Sequence, residues 1–292
     1  MNRSEILFLY DIQNNNPNGD PLDSNKPRMD EETGFNLVTD VRLKRTIRDY
    51  LYKFKGYNEN NGKDIFVRTI TNKAKEIQDG KNRAKDFEND ADKILQNCID
   101  IRLFGGVIPL PNDSITFTGP VQFKMGRSLH QVEIQYIKGT GAFASASGKK
   151  QQTFREEYIL PYSLIGFYGI INENAAKTTN LTDDDIELLI ESIWEGTKNL
   201  ISRSKVGQNP QLLIKIDYKK DESHIGGLEQ LIKIESDKDD LELRSTNDFS
   251  LNIQKLIDIF EYNKNKIDTI FYKKNTSLKI EPQIPSTWTE LK

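Results

Sequence analysis

Cysteine is almost missing from this chain. Its 292 residues hold one, Cys98, so no internal disulfide can form. Two histidines, His130 and His224, leave no Cys/His spacing that would suit a structural zinc. No long apolar run occurs. The chain opens with Asn2-Arg3-Ser4-Glu5 and a short hydrophobic stretch, which reads as neither a signal peptide nor a membrane span, so a cytoplasmic protein with no membrane partner is expected. No glycine-rich phosphate loop follows a strand, which argues against nucleotide hydrolysis. His130 has no Ser or Cys nucleophile motif beside it, and His224 precedes Gly226-Gly227 in a polar stretch. Neither a catalytic triad, a metal centre nor a cofactor is therefore expected. An excess of positive charge is also absent. Lys and Arg total 41 against 44 Asp and Glu, a net charge of −3 and the wrong sign for a typical free-standing nucleic-acid binder.

The charges that are present are segregated. Acids crowd Asp183-Asp184-Asp185, Asp237 to Asp240 and Glu156-Glu157, while cations gather at Arg42 to Arg48, Lys149-Lys150 and Arg203 to Lys205. A one-sided basic groove is compatible with such a chain. A mean hydropathy of −0.64 describes a polar surface, and the length suffices for a full core, read as one domain with insertions.

The richest stretch runs from Glu5 to Leu51. Ile6-Leu7-Phe8-Leu9-Tyr10 is short, apolar and aromatic, a buried strand over Glu5 to Ile12. The polar loop Asn14 to Pro21 ends it, because Gly19 tolerates positive φ and Pro21 cannot pair in a ladder. A helix opens at Thr39. Leu43, Ile47, Tyr50, Leu51 and Phe54 share its packing face, and Lys44, Arg45, Arg48 and Lys55 fall on another. Such a cationic stripe is usually only solvated, yet after a strand and a Gly/Asn loop it also suits phosphate.

Asn18-Gly19-Asp20, Thr39 to Arg48 (TDVRLKRTIR) and Asp100 to Gly106 (DIRLFGG) resemble the Cas-seven-type backbone subunit of type I CRISPR surveillance complexes, of the RAMP superfamily; among subtypes, the chain most resembles type I-B. The resemblance is strongest over Glu5 to Arg48, Asp100 to Ser128 and Glu157 to Tyr218. It implies an RNA-binding subunit without catalysis, whose partners are a CRISPR guide RNA, target DNA through that guide, other copies of itself and other Cascade subunits.

Further along, 55–93 is polar with two weak helical patterns and reads as a helical insertion. A helix is expected over Ala91 to Ile101 and a half-buried strand from Ser114, SITFTGPVQF, ending at Gly119-Pro120. A strand over Glu157 to Ile171, broken at Pro161 and Gly166, precedes a helix capped by Thr182, whose apolar face reaches Leu200 and Ile201. Gly207 and Pro210 stop that helix, and Gln211 to Tyr218 alternates as the last core strand. The order βαββαβ predicts an α+β fold of the ferredoxin-like, RNA-recognition-motif type, with helices on one sheet face. An extension, 226–292, adds a strand (Leu231 to Glu235), a helix (Phe249 to Tyr262) and a strand (Thr269 to Lys273).

Residues 126–157 form a second insertion, rich in Gly, Ala and Ser, that also reads as a flexible surface loop. By resemblance it contains the thumb, a projection that wedges between nucleotides beside a neighbouring copy. The expected RNA contacts are Asn16, Asn18, Gly19, Asp20, Arg42, Lys44, Arg45, Arg48, Gln122, Arg127, Ser128, Lys149 and Lys150. His130 suits a ribose hydroxyl or plain surface exposure. Two other readings stay open: a metal-dependent ribonuclease of a type III-like complex, with carboxylates from among Asp11, Asp20, Asp40 and Asp100, and a free-standing single-strand RNA-binding protein stacking bases on residues such as Phe117 and Tyr168.

Overall fold

The apolar run becomes the middle of strand β1 (Ser4–Asn15), flanked on both sides by other strands and buried on both faces. The computed structural model describes residues 1–59, 62–71, 75–110, 113–144 and 152–291, with backbone alone at 140–144 and 152–155. After β1 the longer elements are β2 (Phe35–Val38), α1 (Asp40–Phe54), α2 (Ala91–Asn97), α3 (Ile99–Phe104), β3 (Gly105–Pro109), β4 (Ser114–Thr118), β5 (Val121–Phe123), β6 (Gly126–Gln131) and β7 (Gln135–Ala144). Then come β8 (Gln152–Ile171), α4 (Asp183–Lys198), β9 (Gln208–Tyr218), α5 (Gln254–Tyr262) and β10 (Ile267–Lys274).

The core strands lie in the order β9-β1-β8-β6, all antiparallel, with β5 also on β8. With α1 after β1 and α4 after β8, this is the expected βαββαβ arrangement. Thr39 caps α1, its hydroxyl accepting from the Arg42 N–H. Helices α1 and α4 pack Leu43, Ile47, Leu189 and Ile193 against Ile6, Phe8, Tyr10 and Ile12. They cross closely at Gly196, where a Cβ would stand 3.1 Å from the Tyr50 Cβ.

The opposite sheet face is covered too. Leu7 and Leu9 pack with Leu212, Ile214 and the C-terminal residues Leu251, Leu256, Phe260 and Trp288. Glu5 anchors this layer: the wholly buried carboxylate accepts from the Tyr168 and Tyr218 hydroxyls and from the Ile225 and Gly226 N–H groups, the last at 2.7 Å. Open-faced base stacking, the usual mode of a free-standing RNA-recognition motif, is blocked by this layer. Tyr168 is buried, and Phe117 packs on a small cluster built by α2, α3 and β3.

Several local expectations change. SITFT does not enter the core sheet; β4 pairs with β3 in a separate hairpin, and only after Gly119-Pro120 does Val121–Phe123 join β8. The Ala91 to Ile101 helix is two helices, because Cys98 is extended at their junction (φ −103, ψ 96). Strand β8 runs unbroken through Pro161 and Gly166. Pro161 lies opposite the left-handed Asn14, where the register with β1 skips a pair, so its missing N–H falls at an irregularity. Gly166 gives room to Leu9 and Leu129, whose methyls would stand 3.1 and 3.0 Å from a Cβ. Helix α4 ends at Lys198, leaving Ile201 exposed, and Phe54 on α1 is exposed as well, its ring against Tyr50. In the extension the expected Phe249 to Tyr262 helix is a short strand, Ser250–Asn252, and then α5.

Candidate nucleic-acid interface

Three chain segments meet at one end of the core: the loop leaving β1, the N-terminus of α1, and the segment between α4 and β9. Asn15 donates to the Val206 carbonyl at 2.5 Å, and Lys205 donates to the carbonyls of Asn16 (2.6 Å) and Pro17 (2.9 Å). Asn18 ties the loop to the helix, its Oδ1 accepting from both the N–H and hydroxyl of Thr39 at 2.9 Å. Asn16 is buried and donates to the Asn25 carbonyl at 2.7 Å, while its Oδ1 has no partner among the described residues. At Gly19 a Cβ would lie 2.1 Å from Asn25 Oδ1, so the turn excludes any side chain. Asp20 accepts from Leu22 N–H and pairs with Arg28 at 2.7 Å.

Arg42 and Lys205 face this junction and share a groove of about 320 Å³ with Lys53. Among the described residues Arg42 has no ion-pair partner, and its Nε is buried without an acceptor. Burial holds its pKa below the ordinary range. Lys205 donates to carbonyl oxygens rather than to a carboxylate, and burial, with the neighbouring Arg42 charge second, pulls its pKa down to about 7. Asp49 lines the same groove but is paired with Arg45, so two partly desolvated cations stand there without a bonded carboxylate, a site that an anion would stabilise.

The helical stripe is arranged differently. Lys44 pairs with Asp40 at 3.0 Å and Arg45 with Asp49 at 2.7 Å. Arg48 is 12% exposed and bonds the fully buried Asp100 at 2.9 Å; that carboxylate also accepts from the Phe66 and Val67 N–H groups. Both Lys44 and Arg48 lie over the Phe104 ring. Arg48 therefore joins α1 to α3 and to 55–93 and is not a merely solvated member of the stripe.

At the other sheet edge Arg127 is exposed, 3.1 Å from Asp30 and over the Phe35 ring. Ser128 is not an exposed contact: it is buried, donating to the His130 carbonyl at 2.7 Å and accepting from Asn36 N–H. Gln122 is exposed and donates to the Gly119 carbonyl. His130 is neither on the surface nor free for a ribose. Its Nε2 accepts from Leu164 N–H at 3.3 Å, its Nδ1 faces the Gln131 carbonyl, and the ring stacks on Tyr162. Lys149 and Lys150 lie outside the described residues. Strand β7 and the first part of β8 pair as a two-stranded ribbon, Gln135 opposite Ile159 and Ala144 opposite Gln152.

Lys53 and Lys205 were not among the expected contacts. Lys205 stood inside a cation cluster in the sequence, but nothing local links it to a loop so distant along the chain. Among the described residues no group of three His, Cys, Asp or Glu side chains could hold a metal ion, and no helix is long and apolar enough to cross a membrane.

A family model described as CRISPR-associated protein Cas7 matches residues 2–254. A CRISPR-associated protein Cas7 of Haloferax volcanii is 34% identical, the match covering 92% of this chain and 86% of the relative. Two solved structures share the fold. A chain of a CRISPR RNA-guided surveillance complex in a pre-nicking state superposes with a TM-score of 0.61 at 10% identity, covering 99% of this chain and 96% of that one. A chain of another CRISPR RNA-guided surveillance complex superposes at 0.54 and 13% identity, covering 98% and 96%.

Proposed function

This chain belongs to the CRISPR-associated Cas7 family, and we propose that it is a guide-RNA-binding backbone subunit of a type I, I-B-like surveillance complex, several copies lining up along one guide. The observation that carries the RNA-binding part is the pair of partly buried cations without an ion-pair partner among the described residues, Arg42 and Lys205, set against the Asn16 to Asp20 loop. Phosphates of a single strand supply the missing counter-charge. Lys53 extends this site; the exposed Arg45 and Arg127 reach further phosphates by leaving Asp49 and Asp30, Gln122, Lys149 and Lys150 are further contacts, and Lys44, Arg48 and Ser128 act from within the fold. Contacts of this kind hold a strand in register without reading bases; target DNA is recognised by pairing with the guide. The ribbon of β7 and β8 is the projection that meets an adjoining copy.

The subunit does not cut RNA in this reading. Asp20 is committed to Arg28 and Asp40 to Lys44, and a complementary RNA incubated with the assembly and Mg²⁺ or Mn²⁺ stays intact. The RNA site is tested by replacing Arg42 and Lys205 with Ala and measuring affinity for a single-stranded RNA against salt. Every phosphate left without its cation flattens the slope of log K on log salt by about 0.7, so the double variant flattens it by about 1.4. A slope equal to that of the parent removes the junction from the interface.

A further inference from the structure

A larger groove, about 600 Å³, lies along α4 on the side facing β9 and β10, and it has the opposite charge. Asp183, Glu187, Glu191 and Glu195 follow one another at four-residue intervals along one wall, a rise of about 18 Å. Asp217 and Asp268 stand on the other wall, together with Lys215 and Lys273. The floor between them is apolar: Ile186, Ile190, Trp194, Phe271 and Leu291. Glu191 is engaged by Lys55 and the Tyr50 hydroxyl, and Asp217 by Lys215 and Ser4. Among the described residues, no cation pairs with Asp183, Glu187, Glu195 or Asp268. The Trp194 ring already carries one cation on its face, the Lys273 ammonium at 5.4 Å.

A negative wall of this length repels nucleic acid, so it stands apart from the RNA junction and helps explain how a chain of net charge −3 can bind RNA on one side. An apolar floor with a carboxylate each turn is complementary to a helix bearing a cation each turn beside an apolar stripe. We propose that this groove is the docking site of a basic amphipathic helix from another polypeptide. Its lysines or arginines meet Asp183, Glu187, Glu195 and Asp268, and its apolar stripe covers Ile190 and the edge of Trp194.

The probe is a fluorescein-labelled amphipathic peptide of about 14 residues, Lys at every fourth position beside a Leu stripe, with the same peptide carrying Glu for Lys as control. Anisotropy is followed with the full chain at low and moderate salt. Binding of the Lys peptide alone is expected, weakened on the order of tenfold in E187K/E195K and less in E187Q/E195Q, and reduced by salt. Neither carboxylate is part of an ion pair that holds the fold, and circular dichroism confirms that the variants fold. RNA affinity is not weakened in these variants, and peptide affinity is not weakened in the Arg42/Lys205 double variant, so the two sites fail independently. Peptide binding indifferent to both groove variants overturns the proposal. So does self-association of the parent, seen by sedimentation and abolished by E187K/E195K, which assigns the groove to a second copy.

Discussion

Replacing Arg48 with Ala separates a cation that holds the fold from one that holds a ligand. Asp100 is wholly buried and receives three hydrogen bonds, from Arg48 Nε at 2.9 Å, Phe66 N–H at 2.7 Å and Val67 N–H at 3.0 Å. Without the guanidinium two backbone donors remain, and the buried carboxyl group has no bonded cation. Removing one partner of a buried pair costs about 3–5 kcal/mol, and the two surviving donors place this site near the lower figure. For a chain of this size each kcal/mol lowers Tm by about 2 °C, so a fall on the order of 6 °C is expected by calorimetry, with a matching drop in the urea midpoint. Adding Asp100→Asn removes the orphaned carboxyl group and recovers part of the stability, a coupling read as a double-mutant cycle. The RNA salt slope of the folded variant stays that of the parent. A Tm within about 1 °C of the parent, or a slope flattened by about 0.7, refutes the structural assignment of Arg48.

Because Lys205 titrates near 7 and phosphate favours its charged form, RNA affinity falls as pH rises through neutrality, and Lys205→Arg, which stays charged, removes that dependence in a pH series of binding isotherms. His130 is buried neutral, its pKa held below the ordinary 6.5 by desolvation. The unfolded chain takes up that proton first, so this contribution to stability is full above about 6.5 and is lost as pH falls below it; His130→Gln flattens this part of a denaturant-midpoint profile, and an unchanged profile refutes it. Replacing Gly139 to Lys150 by a short Gly-Ser link leaves a folded monomer that no longer assembles into long nuclease-protected complexes; full-length protection by the shortened chain reduces the ribbon to a loop.

Local patterning determined much of this protein. The apolar run of β1, the Thr39 and Thr182 caps and the amphipathic faces of α1 and α4 are each written within a few residues, and their order yields βαββαβ; Gly19, expected to supply positive φ, instead supplies space beside Asn25. Other features depended on partners distant in sequence. SITFT alternates like a core strand, yet its partner is Gly105 to Pro109 rather than the core sheet. The second face of the sheet is closed by residues after 226, because Glu5 collects the hydroxyls of Tyr168 and Tyr218 and the N–H groups of Ile225 and Gly226 in one buried shell. Charge shows the difference most clearly. Composition and helical periodicity place Arg42, Lys44, Arg45 and Arg48 together on α1, but whether a cation is spent or available depends on which carboxylate the fold brings within about 3 Å. Asp100 reaches Arg48 from a distant helix, and Asp40 and Asp49 hold their neighbours one turn away. No carboxylate among the described residues pairs with Arg42, beside which the fold sets Lys205 instead.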